Sequence, residues 1–517
     1  MIIGRDVTFD EGGMWNWSSK SQKEPIVPSN DYEEEVENVY TTPDDPDEPE
    51  TSNRAQRNRR LPTQLQDCVL GTDNDPSDEE IINFALFADC EPVTFEEVVG
   101  DENWIKAMDE EIKAIEKNKT WELTELPANK KPIGVKWVYK TKYKPNGEID
   151  RYKARLVAKG YKQKPGIDYF EVFAPVARLD TICMLISLSA QNNWKIHQRN
   201  VKSAFLNGTL EEERYVEQPA GYLVKGKEDK VYRLKKALYG LKQAPRAWYK
   251  KNDSYFIQNG FQRCPFEYTL YIKFIDPGDV LIVCLYVNDL IFTGNNSKMI
   301  AEFREAMIRC FEMTDLSLMS YFLGIEVVQQ KGGIFISQKK YASDILKKFK
   351  MEHSKPISTP VEEKLKLIRE SDGKRVNPTH YKSLIGSLRY LTATRPDIVY
   401  GVGLLSRYME EPHVSRLQGA KRILRYIKGT LTDGIFYGNN SDVKLVGYTD
   451  SDWAGDTETR KSTSGYVFHL GTGAISWSSK KQPVVALSTA EVEYIAATSC
   501  VTQTVWLRRI LKVMHQN

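Results

Sequence analysis

Lys153, Arg155 and Lys159 alternate with Ala154, Leu156 and Ala158 in the stretch RYKARLVAKGY. On a strand, a period of two sets the basic side chains on one face and the apolar ones on the other. A row of cations at that spacing can receive phosphates, and it fits a solvated strand face equally well. A different kind of site stands in LIVCLYVNDLIFTG, residues 281–294, where two apolar runs meet at Asn288 and Asp289. The runs are rich in β-branched and aromatic residues, so the pair reads as the turn of a β-hairpin. Asp289 is the one carboxylate in that stretch, and locally it makes a comfortable polar turn. Further on, Asp450 in GYTDSDW ends a strand, and Glu491 in STAEVEY follows Ser488 at the spacing of a capping box, which fastens a helix start.

The elements that must position these residues alternate between strand and helix periodicity. Trp104, Met108, Ile112 and Ile115 lie on one helical face, and Asn146-Gly147 is a hairpin turn ahead of the basic strand. SKMIAEFREAMIRCFEM reads as an amphipathic helix capped by Ser297, and Gly332-Gly333 turns the hairpin IEVVQQKGGIFIS. Residues 381–428 read as helices, strands return from Lys444, and a closing helix runs from Ser488 to about Met514. Hairpins mixed with helices predict an α+β fold.

The formal net charge of the 517 residues is +2, but residues 1–100 carry 7 Lys/Arg against 24 Asp/Glu. The remainder is therefore strongly basic, which suits a polyanionic partner. Residues 31–50 hold ten acidic residues, three prolines and no Lys or Arg, a composition that predicts a disordered linker. Seven scattered cysteines and six histidines show neither disulfide nor zinc spacing, which suits an intracellular, reducing compartment. VLIVCLYV is too short to span a bilayer, so no membrane partner is expected.

Three segments follow one another in an informative order: HQRNVKSAFLNG at 197–208, ALYGLKQAPRAWY at 237–249 and YVND at 286–289. Their order and spacing resemble the palm of a reverse transcriptase. From Asp101 onward the chain resembles the Pol polyprotein of copia-type retrotransposons. WVYKTKYKPNGEIDRYKARLVAKGY, YFLGIEV, SLIGSLRYLTATRPDI and STAEVEYIA also carry the likeness. GRDVTFDEGGMWNW resembles the tail of an integrase. The resemblance implies an integrase remnant in 1–20 and an acidic, largely disordered linker in 21–100. It implies reverse-transcriptase fingers, palm and thumb in 101–360, connection helices in 361–440, and a truncated ribonuclease H-like domain in 441–517.

Such a palm holds two Mg²⁺ ions between a primer 3′-OH and the incoming nucleotide, using one Asp from a strand and two from the hairpin. Here those catalytic positions are Asn200, Asn288 and Asp289, so one metal-binding carboxylate of three remains and Mg²⁺ binding should be weakened. Lys153, Arg155 and Gly240 match nucleotide-binding positions, Pro245 shares the turn of Gly240, and Phe205 matches the bulky residue that excludes a ribose 2′-OH. Phe205 could equally be core packing, Gly240 and Pro245 fit any strand-to-helix junction, and Lys153 and Arg155 fit a solvated strand face. Asp450 and Glu491 match the first two of four catalytic, metal-binding carboxylates of ribonuclease H; the chain stops at Asn517, before the other two are expected. The implied partners are a primer–template or RNA–DNA hybrid and dNTP, in cytoplasmic virus-like particles with nuclear access. Oligomeric state is left open. Three readings follow: an impaired RNA-directed DNA polymerase with ribonuclease H, a non-catalytic nucleic-acid-binding remnant, or a decayed product without a selected role. Each Asp-to-Asn change requires one G-to-A transition, as decay of a silenced element would produce.

Overall fold

A computed structural model describes residues 92–143, 148–275, 278–362, 374–439 and 443–515. The integrase-like segment, most of the acidic linker and the Asn146-Gly147 turn lie outside the described residues. In chain order the elements begin with α1 (Glu102–Lys117), β1 (Trp121–Thr124), β2 (Val135–Tyr143), β3 (Ile149–Ala158), α2 (Leu179–Gln191), β4 (His197–Val201), β5 (Thr209–Val216), β6 (Val231–Lys236) and α3 (Ala244–Gln258). There follow β7 (Gln262–Arg263), β8 (Leu270–Phe274), β9 (Val280–Tyr286), β10 (Asp289–Gly294), α4 (Ser297–Cys310), β11 (Met313–Leu318), β12 (Tyr321–Phe322), β13 (Ile325–Gln330) and β14 (Gly333–Ser337). The last are α5 (Lys339–Lys348), α6 (Pro378–Leu391), α7 (Val399–Ser406), α8 (Val414–Gly429), β15 (Ile435–Gly438), β16 (Leu445–Ser451), β17 (Thr463–Leu470), β18 (Gly473–Lys481) and α9 (Thr489–Val513). The mixture of helices and antiparallel sheets is α+β. Among the described residues no helix is long and apolar enough to cross a membrane.

The α1 helix begins where the Asp101 side chain accepts from the Asn103 N–H at 2.8 Å. It buries Trp104, Met108 and Ile115 against the β2–β3 hairpin, in which Ala154, Leu156 and Ala158 are buried as the period of two requires. Packing starts earlier than the expected linker boundary at residue 100, because Val98 is already fully enclosed in this core. β1, β6 and β5 form a second small sheet beside it.

The central sheet is antiparallel, in the order β11-β4-β10-β9-β8-β7. Leu281, Val283 and Leu285 of β9 face α3 and α4, whereas Ile282 and Cys284 face α2. Both faces are covered, which is why the hairpin reads as an unbroken apolar run and not as an alternation. Residues 181–190 of α2 are all buried, and their hydroxyls are satisfied: Ser187 Oγ donates to the Leu470 carbonyl at 2.8 Å and Ser189 Oγ to Thr293 Oγ1 at 3.1 Å. α2 thus lies between the central sheet and the C-terminal sheet β16-β17-β18, within one continuous core.

Two local expectations shift by one residue. The cap of α4 is Asn296, whose side chain accepts from the N–H groups of Lys298 and Met299, so Ser297 is the first helical residue. Lys331 and Gly332 turn the β13–β14 hairpin, with Gly333 already paired to Gln330. The closing helix is capped by Ser488, at the position its sequence implies.

Candidate active site

The β9–β10 turn is Val287-Asn288, not Asn288-Asp289; Asp289 is the first residue of β10 and pairs with Tyr286. Val287 carries φ +52°, a left-handed conformation that a β-branched residue adopts only under constraint. The constraint is visible. The buried Trp248 indole donates to the Val287 carbonyl at 2.6 Å, and the Val201 N–H donates to the Asn288 carbonyl at 2.8 Å. These bonds fix the tip against α3 and β4.

Pairing of β10 with β4 sets Asp289 directly opposite Asn200. Asn200 Nδ2 donates to Asp289 Oδ1 at 2.8 Å. Burial pushes the Asp289 carboxyl above its ordinary range, while the side-chain amides of Asn200 and Gln198 pull it back by donating to the ionised form. Gln198 is itself buried and escaped the sequence reading; its place two residues before Asn200, on the same strand face, was the available signal. The structure therefore brings Asn200 and Asp289 into contact and leaves Asn288 in the turn.

This donor set does not fit a pair of divalent cations. One carboxylate is present, one of its oxygens is engaged by an amide N–H, and the residue opposite brings no charge. Among the described residues no group of three or more His, Cys, Asp or Glu side chains could hold a metal ion.

The nucleotide-site candidates meet around a residue that sequence reasoning passed over, Tyr239. The Arg155 guanidinium lies over its ring at 5.0 Å, and the Phe205 ring is tilted against it with centroids 5.2 Å apart. The Tyr239 carbonyl accepts from the Ala158 N–H at 2.7 Å, which draws the turn onto the end of β3. Gly240 follows with φ +87°, and a Cβ there would run into the Ala158 carbonyl oxygen. Phe205, Pro245, Trp248 and Val287 line one small cavity of about 40 Å³, so this cluster adjoins the hairpin tip.

Lys153 stands beside Arg155 on β3. Burial and the charge of Arg155 lower its ammonium to about 8. Beneath both cations lies Glu111 of α1, only 8% exposed, accepting weakly from the Leu156 N–H at 3.4 Å. Burial raises its carboxyl to about 6, against the opposing pull of that N–H, Arg155 and Lys153. A buried acid under a basic strand face was legible only as a polar residue on the apolar side of α1.

In the C-terminal sheet Asp450 is exposed near the end of β16. Glu491 is occupied at the start of α9: its N–H donates to Ser488 Oγ at 3.2 Å and its carboxylate accepts from the Leu487 N–H at 2.7 Å. The acid whose carboxyl is raised by burial and by the charge of Asp450 is Glu493.

A family model described as reverse transcriptase (RNA-dependent DNA polymerase) matches residues 118–363, a span that holds every residue of the hairpin and nucleotide clusters except Glu111. A retrovirus-related Pol polyprotein from transposon TNT 1-94 of Nicotiana tabacum is 41% identical over 85% of this chain and 34% of its own length. One from transposon RE1 of Arabidopsis thaliana is 40% identical over 84% of this chain and 30% of its own length. The chain thus spans about a third of those polyproteins. A transposon Ty5-1 protein of Saccharomyces cerevisiae is 32% identical over 59% of this chain and is covered over 99% of its length. By these matches the chain belongs to the reverse-transcriptase family of copia-type retrotransposon Pol proteins.

Proposed function

We propose that this chain is a reverse-transcriptase body that holds a primer–template through its basic face and has lost most of its polymerising power. In this reading α1, β2–β3 and the β1-β6-β5 sheet are fingers, and the central sheet is the palm. β12–β14 with α5–α8 act as thumb and connection, and β16–β18 with α9 are ribonuclease H-like. Arg155, Lys153, Tyr239 and Phe205 form the nucleotide side of the site.

The observation that carries the reading is the Asn200–Asp289 hydrogen bond at 2.8 Å. It joins the two strands that carry the active acids in this family, and it does so with one negative charge. If two missing carboxylates together forfeit about 6 kcal/mol of transition-state stabilisation, the rate falls about 10⁴-fold. The same reasoning covers the C-terminal sheet, where the charge of Asp450 reaches Glu493 and no group of three acids forms among the described residues. Hybrid-dependent RNA cleavage by this chain is therefore expected to be absent.

Primer extension in Mg²⁺ tests the reading on the parent chain, Asn200→Asp, Asn288→Asp and the double variant. The parent should be silent, each single variant should recover little, and the double variant should recover most, because both carboxylates serve one centre and their effects do not add. Robust synthesis by the parent chain would remove the proposal. A double variant that binds hybrid, is folded by circular dichroism and stays silent would show that the two asparagines are not the cause.

A further inference from the structure

We infer that Glu111 sets the affinity of the nucleotide side of the site: as a carboxylate it offsets the charge of Lys153 and Arg155, and as a neutral acid it releases that charge to a triphosphate. The inference rests on the reading of Lys153, Arg155, Tyr239 and Phe205 as nucleotide-binding. It adds a residue that lies before the family-matched span 118–363.

Backbone direction brings the acid to the cations. Along a strand, the N–H groups of alternate residues point to the same edge. On β3 the Leu156 N–H donates to Glu111 Oε1 at 3.4 Å, and the Ala158 N–H donates to the Tyr239 carbonyl at 2.7 Å. Glu111 and Tyr239 therefore share one edge of β3, the edge not paired with β2. The Arg155 guanidinium lies over the Tyr239 ring, so packing and not an ion pair holds it there. Among the described residues, the side chains of Arg155 and Lys153 make no hydrogen bond and no salt bridge, to Glu111 or to any other acid. Two cations without counter-ions thus stand beside one buried acid, close enough for its charge to act on both.

The acid is the unusual member. α1 otherwise buries Trp104, Ala107, Met108 and Ile115, and Glu111 is enclosed among them. Its side-chain hydrogen bond to Leu156 is long, so burial is poorly compensated and the carboxyl rises to about 6. The charges acting on Glu111 are Arg155 and Lys153 of β3; those acting on Lys153 also include Arg151 of the same strand and Lys142 of β2. Tyr239, from the 237–243 turn, has its phenol pushed up to about 12 and stays neutral. Lys153, lowered to about 8, stays mostly charged below pH 7.5. Between pH 5 and 7.5, Glu111 is therefore the member of this cluster whose charge changes most.

The sign follows from repulsion. A triphosphate on Lys153 and Arg155 disfavours the Glu111 carboxylate, so binding takes up a proton and tightens as Glu111 is neutralised.

Equilibrium dialysis of dATP against the full chain, in EDTA and without primer, reads the affinity. At pH 7.5 Glu111→Gln should bind dATP about fivefold to tenfold more tightly than the parent, the effect of one charge removed at close range. At pH 5 the parent's Glu111 is already mostly neutral, and the two should agree within about twofold. Comparing variant with parent at each pH cancels the titration of dATP itself. Glu111→Leu removes both the charge and the hydrogen bond to Leu156, and should show the same gain at pH 7.5. A role for Glu111 in bracing β3 would instead weaken binding in both variants at both pH values, and that result would overturn the inference. Lys153→Ala with Arg155→Ala separates the inference from the reading beneath it. If that variant binds dATP as the parent does, the nucleotide reading falls and the inference falls with it. If it loses binding while Glu111→Gln is no tighter than the parent at pH 7.5, or is equally tighter at both pH values, the nucleotide reading stands and the role of Glu111 is overturned.

Discussion

At the scale of single residues, the site is defined by what surrounds one carboxylate. Burial raises the Asp289 carboxyl, and two amides that donate to its ionised form only partly compensate. Asn200→Asp replaces a donor with a second negative charge at 2.8 Å range. The variant should lose about 2–3 kcal/mol at neutral pH, less in acid, where one carboxyl of the pair stays protonated. Thermal unfolding should also show Mg²⁺ recovering part of that loss in Asn200→Asp while leaving the parent chain unmoved. Glu111 gives a cleaner pH signature. Its folded carboxyl is raised from 4.5 to about 6, so its stabilising contribution is complete below pH 4.5 and is lost as pH rises through about 6. That loss is worth about 2 kcal/mol. Urea unfolding of Glu111→Gln across this window should lack it, and an identical pH profile in variant and parent would refute the assignment.

At the scale of elements, two tight turns do the positioning. The Val287-Asn288 turn keeps a β-branched residue at φ +52° because Trp248 and Val201 hold its carbonyls. Val287→Gly should therefore stabilise the protein by about 1 kcal/mol, with relief of backbone strain exceeding the added entropy of glycine in the unfolded chain. A lower melting temperature for this variant would contradict the strain argument. The 237–243 turn is the opposite case. Gly240 combines positive φ with backbone contact against Ala158, so Gly240→Ala should destabilise by about 3 kcal/mol or more and pull Tyr239 away from Arg155. Denaturant midpoints measure the first effect directly. Both turns were visible in the sequence as polar or glycine-bearing breaks. Their exact residues were not, since a turn of Asn288-Asp289 and one of Val287-Asn288 differ only in which strand pairing the rest of the sheet imposes.

At the scale of the whole molecule, an excess of cations beyond residue 100 sits on a body whose central hairpin is closed by an amide and one acid. Binding to an RNA–DNA hybrid should then be electrostatic and independent of divalent metal. With six to ten phosphates neutralised, affinity should fall about 10³- to 10⁵-fold between 50 and 200 mM salt. Filter binding should give the same affinity in EDTA and in Mg²⁺ at matched ionic strength. A requirement for Mg²⁺ would argue for a metal centre that the described residues do not contain. The same scale explains α2, whose ten successive buried residues serve two sheets at once.

The sequence by itself determined the α+β class, the amphipathic α1, the alternating basic strand, the cap of α9 and the family. Those features rest on local periodicity, capping chemistry and motif order, all of which are written along the chain. Tertiary structure alone decided which polar groups meet. Asn200 and Asp289 are 89 residues apart and become partners through one antiparallel register. Tyr239 gathers Arg155 and Phe205 because a glycine turn folds back onto β3, and Glu493 feels the charge of Asp450 while Glu491 caps its helix. Contacts of that kind depend on register and burial summed over many residues, so no single segment encodes them.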